Sequence, residues 1–336
     1  MSSMKEAQVS SQRRLASWIS LGVSLLLFIA KYIAFRLTGS HAVLSDALES
    51  IVNVVAATVA LIVVHYASRP ADEDHPYGHG KAEFFSAAFE GGLISLAGLL
   101  ICLEAVQALL EGVVLKRLEV GLFIVAGAGL ANLALGLHLR RIGRAHHSSA
   151  LEASGQHVLS DVWTTVGVLA GLALVHLTGH LWLDPAAALL VGAQLAWNGI
   201  GVVRRSAGGL LDAEDRVLIE RLGRLFTQHR FPGIIRIHHV RVIRSGGYHH
   251  VDAHLVVPEF WSVEKAHGET DGFEASVMED YGAEGEIAFH LDPCQRAYCS
   301  KCELPKCPVR TRDFESPLAF SVEELTSPVE LAKFRD

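Results

Sequence analysis

Two short strings place metal-binding side chains where apolar ones are expected: Asp46-Ala-Leu-Glu49-Ser-Ile-Val-Asn53 and His157-Val-Leu-Ser-Asp161. Each lies inside a run long and apolar enough to cross a bilayer, where an ionised side chain costs at least ~2.5 kcal/mol. On a helix, residues three and four apart share a face. Glu49 and Asn53 therefore project together, with Asp46 one turn earlier, and His157 and Asp161 form a second pair. Four or five oxygen and nitrogen donors on two helices meet the needs of a divalent-cation site. The alternative is a polar seam joining two helices, which normally uses Ser, Thr and Asn rather than three carboxylates and a His.

Three further groups could bind metal. The string Arg69-Pro-Ala-Asp-Glu-Asp-His-Pro-Tyr-Gly-His-Gly-Lys-Ala-Glu83 offers Asp72, His75 and His79 on a turn shaped by Pro76, Gly78 and Gly80, or else is a solvated acidic loop. Further on, His238, His254, His267, His290 and Asp292 lie in a β-rich region. His290 and Asp292 stand two apart, hence on one strand face. Singly, each histidine reads as a surface or structural residue. Together they are better explained by a water-accessible metal centre. Cys294, Cys299, Cys302 and Cys307 follow with Cys-x4-Cys-x2-Cys-x4-Cys spacing, which suits a structural zinc knuckle. The first three also match plant-type iron–sulfur spacing, and inert surface thiols are the third possibility.

The elements that must carry these residues divide the chain. Six candidate spans run over about 15–37, 42–66, 84–110, 118–139, 151–178 and 183–203, each near the ~20 residues a crossing helix needs. Basic residues gather on one side: Arg13 and Arg14, Arg69 and Lys81, Arg140, Arg141 and Arg144, then Arg204 and Arg205. The opposite loops hold only Lys116 and Arg117, with Arg36 nearby, so both termini are expected in the cytoplasm. After Asp212, residues 213–230 read as an amphipathic helix. Ile234–Arg244 and Tyr248–Val257 read as strands around Ser245-Gly246-Gly247, followed by a helix over 262–281 and a strand, Glu286–Leu291. The expected organisation is a membrane domain (1–211), a small αββαβ domain of α+β class (212–293) and a Cys-rich, mobile tail (294–336).

Composition agrees. Half of the 336 residues are hydrophobic, with the excess concentrated before about residue 211. A formal charge of −7 with 18 histidines gives no basic patch for nucleic acid. Four of the five cysteines cluster in the tail, while Cys102 lies in an apolar span, so a metal is favoured over disulfides. The first apolar run leads to Lys31 and Arg36 rather than to a small-residue cleavage site.

The strings at 69–83 and 157–161, with His290-Leu-Asp-Pro293, resemble the cation diffusion facilitator family of divalent metal/proton antiporters over about residues 10–293. The resemblance implies six transmembrane helices followed by a ferredoxin-like cytoplasmic domain that dimerises. It implies a transport site at Glu49, Asn53, His157 and Asp161, and a loop site at Asp72, His75 and His79. The dimer-bridging cytoplasmic site would comprise His238, His254, His290 and Asp292, with His267 nearby. A multi-pass protein of a bacterial inner (plasma) membrane is the expected setting. Two departures stand out. Helix two of zinc-type members usually ends its pair in Asp, where this chain has Asn53, and the four-Cys tail lies beyond the shared region.

The expected activity is efflux of a divalent cation, zinc first and ferrous iron next, with Mn2+, Co2+ or Cd2+ compatible with the same donors. Metal would exchange for protons that replace its charge on His157 and a carboxylate. The expected partners are a second copy of the chain, lipid, metal ions and protons. Two rivals come from other classes. A membrane di-iron oxidase would need paired motifs such as His-x-x-His-His, which this chain lacks. A non-transporting metal sensor would leave His157 and Asp161 without a purpose.

Overall fold

Apolar runs without an internal proline fold as long helices in the computed structural model. They are α1 (Ser2–Thr38), α2 (His41–Ala67), α3 (Ala82–Glu111), α4 (Glu119–Ala145), α5 (Ser149–Thr178) and α6 (Leu183–Leu210). Pro70 follows α2, and Pro185 sits in the first turn of α6, where a missing N–H costs nothing. The structure describes residues 2–38, 41–111, 119–180 and 182–329. Within the helices, the side chains of 2–8, 10, 34, 35, 37, 38, 41–49, 111, 119–126, 168–176 and 184 lie outside the description. The chain divides into two units, Met1–Leu211 and Asp212–Asp336.

The first unit is apolar outside and buries polar side chains among small and apolar ones. Leu26, Phe85, Leu190 and Trp197 are each at least 66% exposed, whereas Ser17, Glu83, Ser86, Glu90, Ser154 and His157 are buried. Hydrocarbon surroundings account for that arrangement, since water would penalise so continuous an apolar surface. Among the described residues, four helices contain stretches apolar and long enough to cross a membrane: Ser11–Ile33, Ser50–Ala67, Ala82–Leu110 and Pro185–Leu210. α4 and α5 fall at the other two expected spans, and 119–126 and 168–176 are among the side chains outside the description.

Close packing of the bundle depends on small residues. α3 lies along α6, α4 along α5 and α1 along α2. A Cβ on Gly98 would stand 2.5 Å from the Gly192 carbonyl oxygen, so the α3–α6 crossing tolerates no side chain there. At the α4–α5 crossing, a Cβ on Gly155 would meet the Arg140 amide nitrogen at 2.8 Å. Small residues that let backbones approach supply van der Waals contact where the hydrophobic effect cannot.

The second unit comprises α7 (Arg216–His229), β1 (Arg236–Ser245), β2 (Tyr248–Val257), α8 (Val263–Tyr281), β3 (Glu284–Pro293) and a short α9 (Val322–Thr326). Asp215 caps α7 by accepting from the Leu218 amide, Ser262 caps α8 through the Lys265 amide, and Gly282 closes α8 at φ 72°. Gly246-Gly247 forms a two-residue hairpin turn, with Gly246 at φ 64° and Ser245 paired to Tyr248. β1 and β2 pair antiparallel, β2 and β3 parallel, in the order β1-β2-β3. Leu222 and Phe226 of α7 and Phe273 and Val277 of α8 pack with Ile237, Val251, Leu255 and Ile287 on one sheet face. By strand alternation, His238, His254, His290 and Asp292 belong to the other face.

Beyond Pro293 the chain, through Val329, folds back onto the second unit. Arg230 donates to the Leu318 carbonyl at 2.7 Å, Leu325 is fully buried, and the His239 amide donates to the Ser327 carbonyl at 3.0 Å. Arg236 pairs with Glu324. Tyr298 and Cys302 cover Ile235 and Val256. Apolar residues at 298, 318, 320 and 325, separated by charged ones, supply that burial.

Candidate metal sites

Asn53, near the middle of α2, joins two residues of α5. Its side-chain nitrogen donates to Asp161 Oδ2 at 2.6 Å, and its oxygen lies 3.0 Å from His157 Nε2. His157 is buried and Asp161 half-buried, one helical turn apart on α5. Two polar residues at i, i+4 thus meet a third from another helix within hydrogen-bond distance. The atoms that converge are an imidazole nitrogen, a carboxylate and an amide, each of which can bind a divalent ion. Asp46 and Glu49 lie on the described backbone of α2, but their side chains are outside the described residues.

Sequence reasoning missed two buried carboxylates of α3. Glu83 pairs with Arg13 of α1 and accepts from Ser148 Oγ at 2.6 Å and the Ala150 amide at 3.3 Å. This network ties α1 and α3 to the start of α5. Glu90, two turns further along α3, is also fully buried. The available signal was the occurrence of two acids seven residues apart in an apolar helix.

The loop between α2 and α3 gathers Asp72, His75 and His79, whose ligand atoms lie within 4.8 Å of one another. The His75 amide donates to Asp72 Oδ1 at 2.8 Å, and His79 Nε2 stands 3.3 Å from Asp72 Oδ2. Gly78, at φ 75°, turns the chain between the two histidines. The His79 ring is buried edge-on to Tyr66, with centroids 4.7 Å apart. Desolvation pushes the Asp72 carboxyl up, but hydrogen bonds from His75 and the field of both histidines bring it below its ordinary value.

On the sheet, His238, His254 and His290 occupy one rung across all three strands. His238, His254 and Asp292 have ligand atoms within 4.8 Å of one another. Asp292 Oδ2 lies 2.9 Å from His254 Nδ1 and 3.5 Å from His238 Nε2, while its Oδ1 is 3.5 Å from His290 Nε2. Burial lowers the His238 pKa, with Arg236 and His254 adding to the effect, which favours the neutral imidazole that a metal requires. His267 is not brought to this rung. It stands exposed on α8, paired with Asp271 at 2.8 Å.

His239 enters the same neighbourhood unexpectedly. In a regular strand it would point away from its neighbour His238. A register shift between His238 and Arg241 places His239 at φ 52°, its ring centroid 5.2 Å from that of His254. The four tail cysteines are free thiols. Cys299 and Cys302 are buried, and no three of the four sulfurs stand within 4.8 Å of one another.

Comparison with known proteins agrees with this arrangement. Residues 17–211 match the cation efflux transmembrane domain, and residues 216–294 the cytoplasmic domain of cation efflux proteins. The chain is 34% identical over 278 residues to a Synechocystis sp. protein named "Uncharacterized transporter sll1263", covering 82% of this chain and 89% of that one. It is 31% identical over 284 residues to the cation-efflux pump FieF of Pectobacterium carotovorum, covering 83% and 92%. The FieF protein of Shewanella oneidensis is 29% identical over 283 residues, covering 84% and 94%. The two domain matches follow one another along the chain, which belongs to the cation diffusion facilitator family of cation-efflux transporters.

Proposed function

We propose that this protein exports a divalent transition-metal ion from the cytoplasm in exchange for protons. Zinc is the first candidate and ferrous iron the second. The observation that carries this reading is the bridge from Asn53 to both His157 and Asp161 between two helices of the membrane unit. A divalent ion there would take Nε2 of His157, the Asp161 carboxylate and the side-chain oxygen of Asn53, with Glu49 completing the donor set. When the ion leaves, protons on His157 and a carboxylate replace its charge, so metal and protons compete for one site. Six spans with both termini in the cytoplasm, in a bacterial inner membrane, give that exchange its direction.

The FieF relatives, named as cation-efflux pumps, support metal as the cargo. The match of residues 216–294 to the dimerising cytoplasmic domain supports a homodimer, in which the histidine rung senses metal and tightens the pair. The loop cluster of Asp72, His75 and His79 is a third metal position, near the path of the ion. The test is transport by purified protein in liposomes, with a panel of divalent ions, with and without a pH gradient. Zinc uptake that rises with the gradient supports exchange; uptake indifferent to it, or no uptake of any divalent ion, refutes it.

A further inference from the structure

We infer that Cys294, Cys299, Cys302 and Cys307 form a structural tetrathiolate zinc site that locks the folded-back C-terminal segment onto the sheet carrying the histidine rung. The site lies at and beyond the edge of the matched cytoplasmic domain, which ends at residue 294. It is therefore independent of the transport reading.

The surroundings of the Cys299 sulfur suit a charge. Cys299 Sγ accepts from the Thr311 amide and the Thr311 hydroxyl, each at 3.4 Å. A neutral thiol is a weak acceptor. Two donors aimed at the Cys299 sulfur make sense if it carries the negative charge of a metal-bound thiolate, which such outer hydrogen bonds orient and stabilise.

The backbone around them is already clamped. Arg310 reaches into the cysteine loop and donates to the carbonyls of Cys299 (3.0 Å), Cys302 (2.9 Å) and Leu304 (2.8 Å). It fixes the backbone at Cys299 and Cys302 and places a positive charge beside a group that would be doubly negative with zinc bound. Metal binding need only draw together a loop whose backbone is held in place. Cys302 packs against Ile235 and Val256, which favours a single ion over a cluster that needs room for bridging sulfide.

The consequence reaches the rung. Cys294 follows Asp292 by two residues, and its amide donates to the Val257 carbonyl at 2.8 Å. Tyr298, inside the cysteine loop, accepts from Arg236 at 3.3 Å, and Arg236 lies two residues before His238 on β1. Zinc at the cysteines would therefore hold both ends of the rung.

The test uses the full-length protein, purified in detergent, stripped of metal and titrated with cobalt(II). Thiolate-to-cobalt charge transfer gives a near-ultraviolet band that histidine and carboxylate sites cannot produce. The inference predicts that this band saturates at about one ion per chain and is bleached by zinc. It should vanish in the C299S/C302S variant. In the wild type, zinc should protect the four tail cysteines from alkylation, with Cys102 as the internal reference; this arm needs no variant to fold. Absence of the band, or equal alkylation with and without zinc, overturns the site. Iron with acid-labile sulfide in the purified protein overturns the choice of zinc.

Discussion

The membrane site and the histidine rung use similar donors on very different supports. The rung's ligands stand on strands held together by backbone hydrogen bonds, and His238, His254 and Asp292 already lie within 4.8 Å of one another. The membrane ligands are divided between α2 and α5, where Asn53 spans the gap to His157 and Asp161 through side chains. A site shared by two helices can be opened when one moves against the other, whereas a site on a sheet is best suited to retaining its ion. On the proposed function, the same chemistry would serve passage in one unit and sensing in the other.

That contrast breaks most readily at α5. Replacing His157 or Asp161 by Ala should lower metal flux by more than about 100-fold, since even outer-shell losses at metal sites cost about 10–100-fold. Circular dichroism and size-exclusion profiles should be unchanged. Near-normal vesicle uptake by either variant would remove the site from the transport path.

On the sheet, Asp292→Ala should weaken metal binding at the rung by about 10–100-fold. A coupling at the low end of the typical range, about 1 kcal/mol, would lower transport at low metal by about fivefold. Calorimetry on the full-length protein measures the first, flux assays the second. An equal collapse of flux in Asp292→Ala and Asp161→Ala would erase the distinction between the two sites.

Metal-free stability supplies a smaller effect. The folded pKa of His238 is held below its ordinary 6.5 by burial and by Arg236 and His254. As pH falls below 6.5, the unfolded chain takes up this proton before the folded one does, so His238 removes stability on acidification and has no effect well above that value. Thermal unfolding of metal-free wild type should show the loss between pH about 7 and about 5. His238→Gln should flatten that dependence; an unchanged slope would show that other groups dominate.

The smallest expected effect concerns Asp46. If it helps neutralise the ion from one turn before Glu49, Asp46→Asn should slow flux and a second change, Asn53→Asp, should partly restore it. A change within about twofold, roughly 0.4 kcal/mol, would instead assign Asp46 to the start of α2 as a charge favoured by the helix dipole.

Much of this was legible because helical and strand periods are simple. His157 and Asp161 declare a shared face by their spacing, and alternation puts His290 and Asp292 together. Gly246-Gly247 announces the hairpin. Other features depend on interactions that no period encodes. The bulge that brings His239 beside His254 breaks the alternation used to read the strand. The fold-back after Pro293 depends on apolar residues too sparse to form a pattern, with Arg230 and Arg236 anchoring it from afar. Glu83 read as part of a hydrophilic loop, but Arg13 and Ser148 bring it into the helical bundle.

The central claim is that metal and protons compete for the pair on α5 and its partner on α2. The most direct measurement follows zinc and pH together inside proteoliposomes after a zinc gradient is imposed. The account predicts that zinc entry is matched by proton exit, and that Asp161→Ala abolishes both at once. Zinc entry without proton movement, or coupled movement that survives Asp161→Ala, would contradict it.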